Sequence, residues 1–370
     1  MPQIPAGWKE TTLGNLIYSG EIQIKNFLRK PISSNERSKI QWEYPYYWAA
    51  SSIDSLNSFS LEGLHLLIAE DWTVVTNKNS PMLQLVDGKF NVSNHAHILQ
   101  GNDNQKTRFL YYLLSNVNVL PYITWAVQPK LSKENLLKIC FLIPESLPEQ
   151  QAIAAVLSSF DDKIELLRAE NQTLEQMGQE LFKERFGKWK VGDELPEGWR
   201  VGKITEIIKR ETISYKCDKK DLDDKGKTPI LDQGTTGLYG YTSRDPDFIA
   251  TKDNPVIIFT NHTCNFWFID YPFCAIQNVL PYRWINGYDE YFLYFMTKGS
   301  IKFTEYKGHR PSFVALDFVI PPIELAQEFS KIAEGILKKI SWNKEQIQTL
   351  SATRDQLLPK LMSGEVRVEF

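Results

Sequence analysis

Several signatures of chemistry are missing from this chain of 370 residues. No GxxxxGKS or GxxxxGKT loop is present to cradle a nucleotide phosphate, which excludes a P-loop enzyme. The Pro-Pro-aromatic signature of an amino-methyltransferase is missing too, and Asn254-Pro255-Val256 does not meet it. GTTGLYG, from Gly234 to Gly240, resembles a phosphate loop only superficially, and its glycines suit a tight turn. The four cysteines (Cys140, Cys217, Cys264, Cys274) show neither a CxxC pair nor a framework spacing. They point to reduced, mostly buried thiols and a cytoplasmic setting, with Cys264 and Cys274 read as core thiols among aromatics. His95 and His97 would share one face of a strand, but no third ligand accompanies them. Strand packing or a DNA-facing role accounts for them more simply, and no metal site is expected. No apolar run reaches the length of a membrane-crossing helix, and the N-terminus is polar from the start.

Proline is the most informative absence. After Pro148 none occurs until Pro196, and over that gap Leu157, Phe160, Ile164, Leu167, Leu174 and Leu181 recur in steps of three and four, with Asn171 in phase. That is the a/d spacing of a coiled-coil seam, and Gly187 is placed to stop the helix. At 1.5 Å per residue such a helix is about 55 Å long, more than one small domain can bury. The stretch from Val319 to Met362 repeats it, with a seam of Ile336, Ile340, Asn343, Ile347, Leu350, Leu357 and Leu361 and one charged intruder, Arg354. IPAGW at Ile4–Trp8 returns as LPEGW at Leu195–Trp199, so the whole order of opening turn, variable block and long helix occurs twice. Each seam carries one asparagine, a residue that can fix register at some cost in stability.

Aromatics at 12% and charged residues at 24% describe a chain that folds. The net charge of −3 does not by itself suggest nucleic acid as a partner. It is unevenly spread, however. Glu149, Asp161, Asp162, Glu165, Glu170, Glu175, Glu180 and Glu184 outnumber Lys163, Arg168, Lys183 and Arg185 on the first helix, most simply as a solvated face. Residues 1–143 are slightly basic, and Lys203–Lys227 is a dense basic cluster broken by aspartates. A near-neutral globule whose charges are sorted onto one face still binds DNA.

Within the first block the pattern predicts a short helix over Thr11–Leu16 above Trp8, then loop and strand from Glu21 to Arg37. An aromatic β-prone segment follows at Trp42–Ile53, with strands at Leu64–Ala69, Trp72–Thr76, Met82–Val86 and Ala96–Gln100. A helix is expected over Thr107–Leu120, followed by an exposed loop at Gln128-Pro129-Lys130, a short helix and a final strand. The second block shows the same grammar: a strand and turn at Pro229–Thr242, strands within Val256–Ile269, and a helix in EYFLYFMTKG. The two blocks share an order of elements and differ in nearly every surface residue.

The paired PAGW and PEGW openings, YPYYWAASSI, PILDQGTTGLYGYT, NHAHIL, FLYYLL, QPKLSKENLLKICFLIPESLPEQQAIAAVLSSFDDKI and DQLLPKLMSGEV carry a resemblance. In this order they are similar to the specificity (S) subunit of a type I restriction-modification system, over essentially the whole chain. The resemblance implies an α+β fold with two α/β target-recognition domains in tandem, each followed by a long helix. The helices would pair as an antiparallel coiled coil related by a pseudo-two-fold repeat. The expected parts are domain one at 1–146, a spacer helix at 147–187, domain two at 188–320, and a second helix and tail at 321–370. It further implies a non-catalytic subunit that reads a bipartite double-stranded DNA target. Its partners would be two methyltransferase (M) subunits acting on adenine N6 and, where the system restricts, motor-nuclease (R) subunits. No cofactor is expected on this chain; S-adenosylmethionine, ATP and Mg would belong to the partners, and no membrane is involved. A departure is KGHRPSF in the second block where the first has VQPKLS, so that loop's role is not transferable between halves.

Base-edge readout needs polar and cationic side chains on rigidly held loops. By that criterion the candidates are Ser51, Ser52, Lys78, Gln128 and Lys130 in the first block, and Thr235, Thr236, Arg244, His309 and Arg310 in the second. Most of Tyr44, Tyr46, Tyr47 and Trp48 read as core. The competing reading from the residues is a coiled-coil scaffold joining two protein- or glycan-binding globules.

Overall fold

The computed structural model describes residues 4–33, 43–48, 51–125, 127–234, 236–305 and 307–369. The basic end of the Glu21–Arg37 segment, Trp42, Ala49 and Ala50 of the aromatic segment, and Thr235 lie outside the described residues. The chain forms two compact units, Met1–Glu165 with Gln348–Phe370, and Leu166–Ile347. Both long helices are therefore shared out, each giving one end to each unit, where the sequence division kept helices and globules apart.

The first unit opens on a tight turn, Trp8 N–H donating to the Pro5 carbonyl (3.1 Å). Thr11 and Thr12 then belong to a strand, Trp8–Thr12, paired antiparallel with Cys140–Pro144. The expected helix starts two residues late, at Leu13–Tyr18, because the β-branched Thr12 is extended and caps it, its side chain accepting the Asn15 N–H at 3.1 Å. The central antiparallel sheet runs Ile22–Ile24, Ala96–Gly101, His65–Ala69, Leu83–Val86. Its strand His65–Ala69 is buried at every position, as an interior strand should be. Trp72–Thr76 is not a strand: Trp72 sits at φ 65°, a left-handed conformation that breaks an extended run, and only Val75 makes a bridge, to Pro81. A second sheet orders Ser52–Leu56, Tyr44–Tyr47, Lys89–Val92 and Leu61–Glu62. The helix Asn104–Ser115 is capped by Asp103, which accepts the Lys106 N–H at 2.6 Å. It stops short of Leu120, where Pro121 opens a 3₁₀ turn.

The second unit repeats this frame, with one strand fewer in its smaller sheet. Its central sheet runs Ile208–Arg210, Val279–Trp284, Val256–Thr260, Phe266–Ile269. The smaller sheet runs Leu238–Thr242, Thr228–Leu231, Cys274–Ala275. Where Lys25 N–H donates to Ile98 (2.8 Å) in the first unit, Glu211 donates to Pro281 (2.9 Å) in the second. Ser93 to Tyr47 (2.9 Å) is matched by Ile276 to Leu231 (3.0 Å), and Trp8 to Pro5 by Trp199 to Pro196 (3.1 Å). Asp289 caps Glu290–Thr297 as Asp103 caps its counterpart.

The first long helix spans Leu147–Phe186 and the second Ile323–Ser363. Among the described residues no helix is long and apolar enough to cross a membrane. In the first unit Asp161 meets Arg354 (2.5 Å) and Glu149 meets Arg367 (2.5 Å), so the two segments run antiparallel. Ile153, Ala154 and Leu157 join Leu361 and Met362 there in one core with Leu13, Leu99 and Phe109. The charged intruder Arg354 is thus satisfied by Asp161, which also accepts the Tyr112 hydroxyl at 2.5 Å. In the second unit Asn171 faces Asn343 and the ring of Phe186 meets Phe329, again antiparallel. Asn343 is fully buried and its Nδ2 donates to Asn171 Oδ1 (2.9 Å) and Glu170 Oε2 (3.0 Å). Of the seam, Ile164, Leu167, Ile336, Ile340 and Asn343 are buried, while Asn171, Leu174, Leu181, Ile347, Leu350 and Leu357 are half-buried.

The helices of the second unit hold their globule through aromatic rings. Phe182 and Phe186 of one helix and Phe329 of the other close on Phe292 of Glu290–Thr297, with centroids 5.3–6.3 Å apart. Gly178 lies on the same face, and a Cβ there would overlap the Phe295 ring. Gly178→Ala gains up to about 1 kcal/mol of helix propensity but overpacks this contact at a cost of about 1–3 kcal/mol. The variant should therefore lose stability, read as faster amide exchange in Glu290–Thr297; slower exchange would show that the ring yields freely.

Candidate nucleic-acid interface

In each unit the most buried strand ends in a polar pair. His65–Ala69 runs into Glu70-Asp71, and Val256–Thr260 runs into Asn261-His262. The backbone around both pairs is the same. Glu70 N–H donates to His95 (2.9 Å) and Asn261 N–H to Asn278 (2.9 Å); Leu131 donates to Glu70 (2.8 Å) and His309 to Asn261 (2.8 Å). One frame thus presents two different sets of side chains.

In the first unit the set is charged. Glu70 takes Arg29 Nη2 on Oε2 (2.7 Å) and Lys130 Nζ on Oε1 (3.2 Å). His97, 0% exposed, donates from Nε2 to the Leu131 carbonyl (2.8 Å). Its Nδ1 is thereby left as an acceptor for Asn26 Nδ2 and Arg29 Nη2, both at 3.0 Å. His95 bonds Asp71 Oδ1 (2.8 Å) and stacks on Trp48, with centroids 4.7 Å apart. The histidines hence serve packing and hydrogen bonding, each with carboxylate or carbonyl partners. Burial pushes the His97 imidazole below its ordinary pKa. Burial alone would raise Glu70, but the facing His97, Arg29 and Lys130 outweigh it and hold the carboxyl below its usual range.

The candidate residues sort around this network. Lys130 is half-exposed and directly on it. Asp71 bridges to Lys130, so the hairpin of Thr124–Trp125 and Pro129–Lys130 stands beside the network, with Gln128 exposed on its connection. Ser51 and Ser52 are exposed where Tyr44–Tyr47 turns back, and the Ser51 carbonyl accepts the Trp48 N–H (2.9 Å). Lys78 is elsewhere: its amino group pairs with Asp355 of the second long helix (2.9 Å). Sequence reasoning missed Arg29, Glu70 and Asp71, and with them the exposed Trp72, Trp125 and Val127 on the same side. The polar pair directly following an apolar run was the available signal.

In the second unit amides replace charges. Asn261 Nδ2 donates to Asn278 Oδ1 (3.3 Å), and Asn261 Oδ1 accepts the Arg310 N–H (2.8 Å). His262 N–H donates to Gln233 Oε1 (2.9 Å), joining the exposed turn that carries Thr236. Arg310 is half-buried beside Asn261. His309, by contrast, is 2% exposed, its Nε2 bonded to the Glu305 carbonyl (3.0 Å) and its ring against Phe303, so it braces the loop and reaches no surface. Arg244 lies at the far end of its hairpin from Thr236, since Thr228 pairs with Thr242, and its guanidinium covers the Tyr215 ring at 3.8 Å. Thr235 is outside the described residues.

The charged network makes the first unit acid-labile. A carboxyl with a depressed folded pKa stabilises the fold above its unfolded pKa and loses that contribution as pH falls through the folded value. A histidine buried neutral acts in the same sense, because the unfolded chain takes up the proton first. The protection of the Ala96–Gly101 amides, corrected for the pH dependence of intrinsic exchange, should therefore fall as pH drops, first through the ordinary histidine range near 6.5 and then below 4.5. Glu70→Gln should cost about 1–3 kcal/mol at pH 7 by stranding Arg29 and should flatten that profile; an unchanged slope would remove Glu70 as its origin.

Comparison with known proteins adds the following. Residues 5–176 match the type I restriction modification DNA specificity domain. The type I restriction enzyme MjaIX specificity subunit of Methanocaldococcus jannaschii is 25% identical over an alignment of 369 positions, which covers 88% of this chain and 85% of that protein. The crystal structure of a type I restriction-modification S subunit from M. genitalium matches with a TM-score of 0.61 at 16% identity, covering 98% of this chain and 97% of that one. At that identity the likeness speaks for the fold.

Proposed function

We propose that this chain, whose residues 5–176 match the type I restriction modification DNA specificity domain, is a non-catalytic specificity subunit that recognises a DNA target, and that its two units each read one half of a bipartite sequence. The observation that carries this reading is the shared frame with unlike side chains. Matching backbone bonds hold Glu70 at one place and Asn261 at the other; the side chains of Arg29 and Lys130 pair with the first, and the Asn278 side chain and the Arg310 N–H bond to the side chain of the second. A rigid support carrying different donors and acceptors is what reading two unrelated half-sites requires. Type I S subunits assemble with M and R subunits. Here the reading directs two M subunits, which methylate adenine N6, and R subunits where the system restricts. S-adenosylmethionine, ATP and Mg act on those partners.

Exchanging residues 9–140 for the corresponding block of a related subunit should change one half of the methylated sequence and leave the other. A methylome in which both halves change, or neither does, overturns the two-reader assignment.

Lys130 already neutralises Glu70, so only part of its charge is available to DNA. Lys130→Ala should weaken binding on all sequences and flatten the salt slope by about one unit if the lysine meets a phosphate. Loss of about 1–3 kcal/mol of discrimination at one base pair would place it on a base edge instead. Binding unchanged at low and high salt would remove it from the interface.

A further inference from the structure

The second unit holds a group of side chains that the reading of DNA leaves unused. Cys217 Sγ, Cys274 Sγ and a carboxylate oxygen of Asp247 lie within 4.8 Å of one another. They come from three separate segments: the stretch before Lys219–Asp221, the loop after Leu238–Thr242, and the short strand Cys274–Ala275. Both cysteines are buried, at 4% and 0% exposure. Asp247 Oδ1 takes a long bond from Ser214 Oγ (3.4 Å), the carboxylate faces the Cys274 thiol, and its Oδ2 is buried without a hydrogen-bond partner among the described residues. A buried carboxylate oxygen left unpaired is costly unless something positive meets it. We propose that Cys217, Cys274 and Asp247 bind a thiophilic divalent cation of the zinc class, as a structural staple.

The chemistry of the donors fits that cation. Two thiolates and one carboxylate satisfy three positions of a tetrahedron, and a water or the Asp245 carbonyl, 3.5 Å from Cys274 Sγ, is available for the fourth. Zinc at about 2.3 Å from each sulfur wants the sulfurs about 3.8 Å apart, so a small contraction closes the set. On binding, two S–H bonds break, two sulfur–metal bonds form and two protons leave to solvent; nothing is oxidised or reduced.

The location fits a staple. One face of the small sheet here rests on Cys217, Ile230 and Cys274, backed by Tyr215 and Ile276, while Leu231 and Ala275 join a larger cluster. Cys217 is already registered there, its N–H on the Ala275 carbonyl at 2.9 Å. Asp247 is likewise in register, since Phe248 and Phe273 exchange N–H bonds at 3.0 Å. In the first unit the position matching Cys274 is Asn91, opposite Tyr46 as Cys274 is opposite Ile230. Asn91 is fully buried and ties its sheet down by donating to the Ser58 carbonyl (2.6 Å). The second unit lacks that amide and carries the thiols instead. A cation here would also fix the loop on which Arg244 covers Tyr215. The sequence spacing concealed the set, because Cys217, Asp247 and Cys274 are far apart in the chain.

The test uses the full chain, purified reduced and stripped with chelator, then titrated with Co²⁺. We expect one equivalent to bind with sulfur-to-cobalt charge-transfer absorption and the visible bands of four-coordinate cobalt, all displaced by Zn²⁺. Zn²⁺ should shield Cys217 and Cys274, but not Cys140, from alkylation read by peptide mass spectrometry, which needs no variant to fold. Cys217→Ser should abolish the bands and Cys140→Ser should keep them. Absent cobalt–sulfur bands, equal alkylation with and without Zn²⁺, or a Cys217–Cys274 disulfide as the stable form would each overturn the proposal.

Discussion

Each long helix carries an apolar stripe that its own block of sequence cannot cover, and the rest of the structure follows from how that stripe is buried. A helix of forty residues leaves an extended seam, and apolar surface in water costs about 25 cal/mol per Å². Here the seam is covered by the other helix running the opposite way, together with the globule of whichever unit that stretch belongs to. The polar residues in the seam take part in the same solution. Asn343 meets Asn171, and Arg354 meets Asp161, so the interruptions of one helix answer those of the other. A slip by one turn would set the buried Asn343 amide against Leu167 or Leu174, which makes the register a matter of hydrogen bonding as well as of shape.

The two globules show how a frame is kept while its surface is changed. What they share is backbone: strand order, parallel and antiparallel pairings, aspartate caps, and the bonds that set the polar pair at the end of the central strand. What they do not share is the chemistry of that pair, carboxylates in one and an amide with an imidazole in the other. Main-chain bonds tolerate almost any side chain, so variation concentrates where it changes contacts without changing the support.

Much of this was legible in the residues. The repeat, the long helices and the matching of asparagines could be read because periodicity and missing proline are local signals. Helix starts were less legible: Thr12 looked like a helix residue, and it is the cap. Trp72 looked like a strand residue, and its backbone is left-handed. The recognition surface was the least legible part. Lys130 was visible as a cation on a loop, but nothing in its neighbourhood of sequence announces Glu70, sixty residues earlier, as its partner. His309 looked like a surface donor because a loop's burial is set by contacts its own sequence does not announce: its ring bonds the Glu305 carbonyl four residues back, and its N–H the carbonyl of the distant Asn261.

The division of the helices between the units has a consequence for how the molecule comes off the ribosome. The unit of Leu166–Ile347 is a single uninterrupted piece of chain, and every strand and helix end it needs is available once that piece has been made. The unit that begins the chain is different, because its core includes Leu361 and Met362. Its β-sheets can be assembled early, yet the apolar face of Ile153, Ala154 and Leu157 stays uncovered until the last residues emerge. The unit containing Ile153, Ala154 and Leu157 is therefore completed only after the continuous unit has been made, and a chain cut before Gln348 holds one finished unit and one open one.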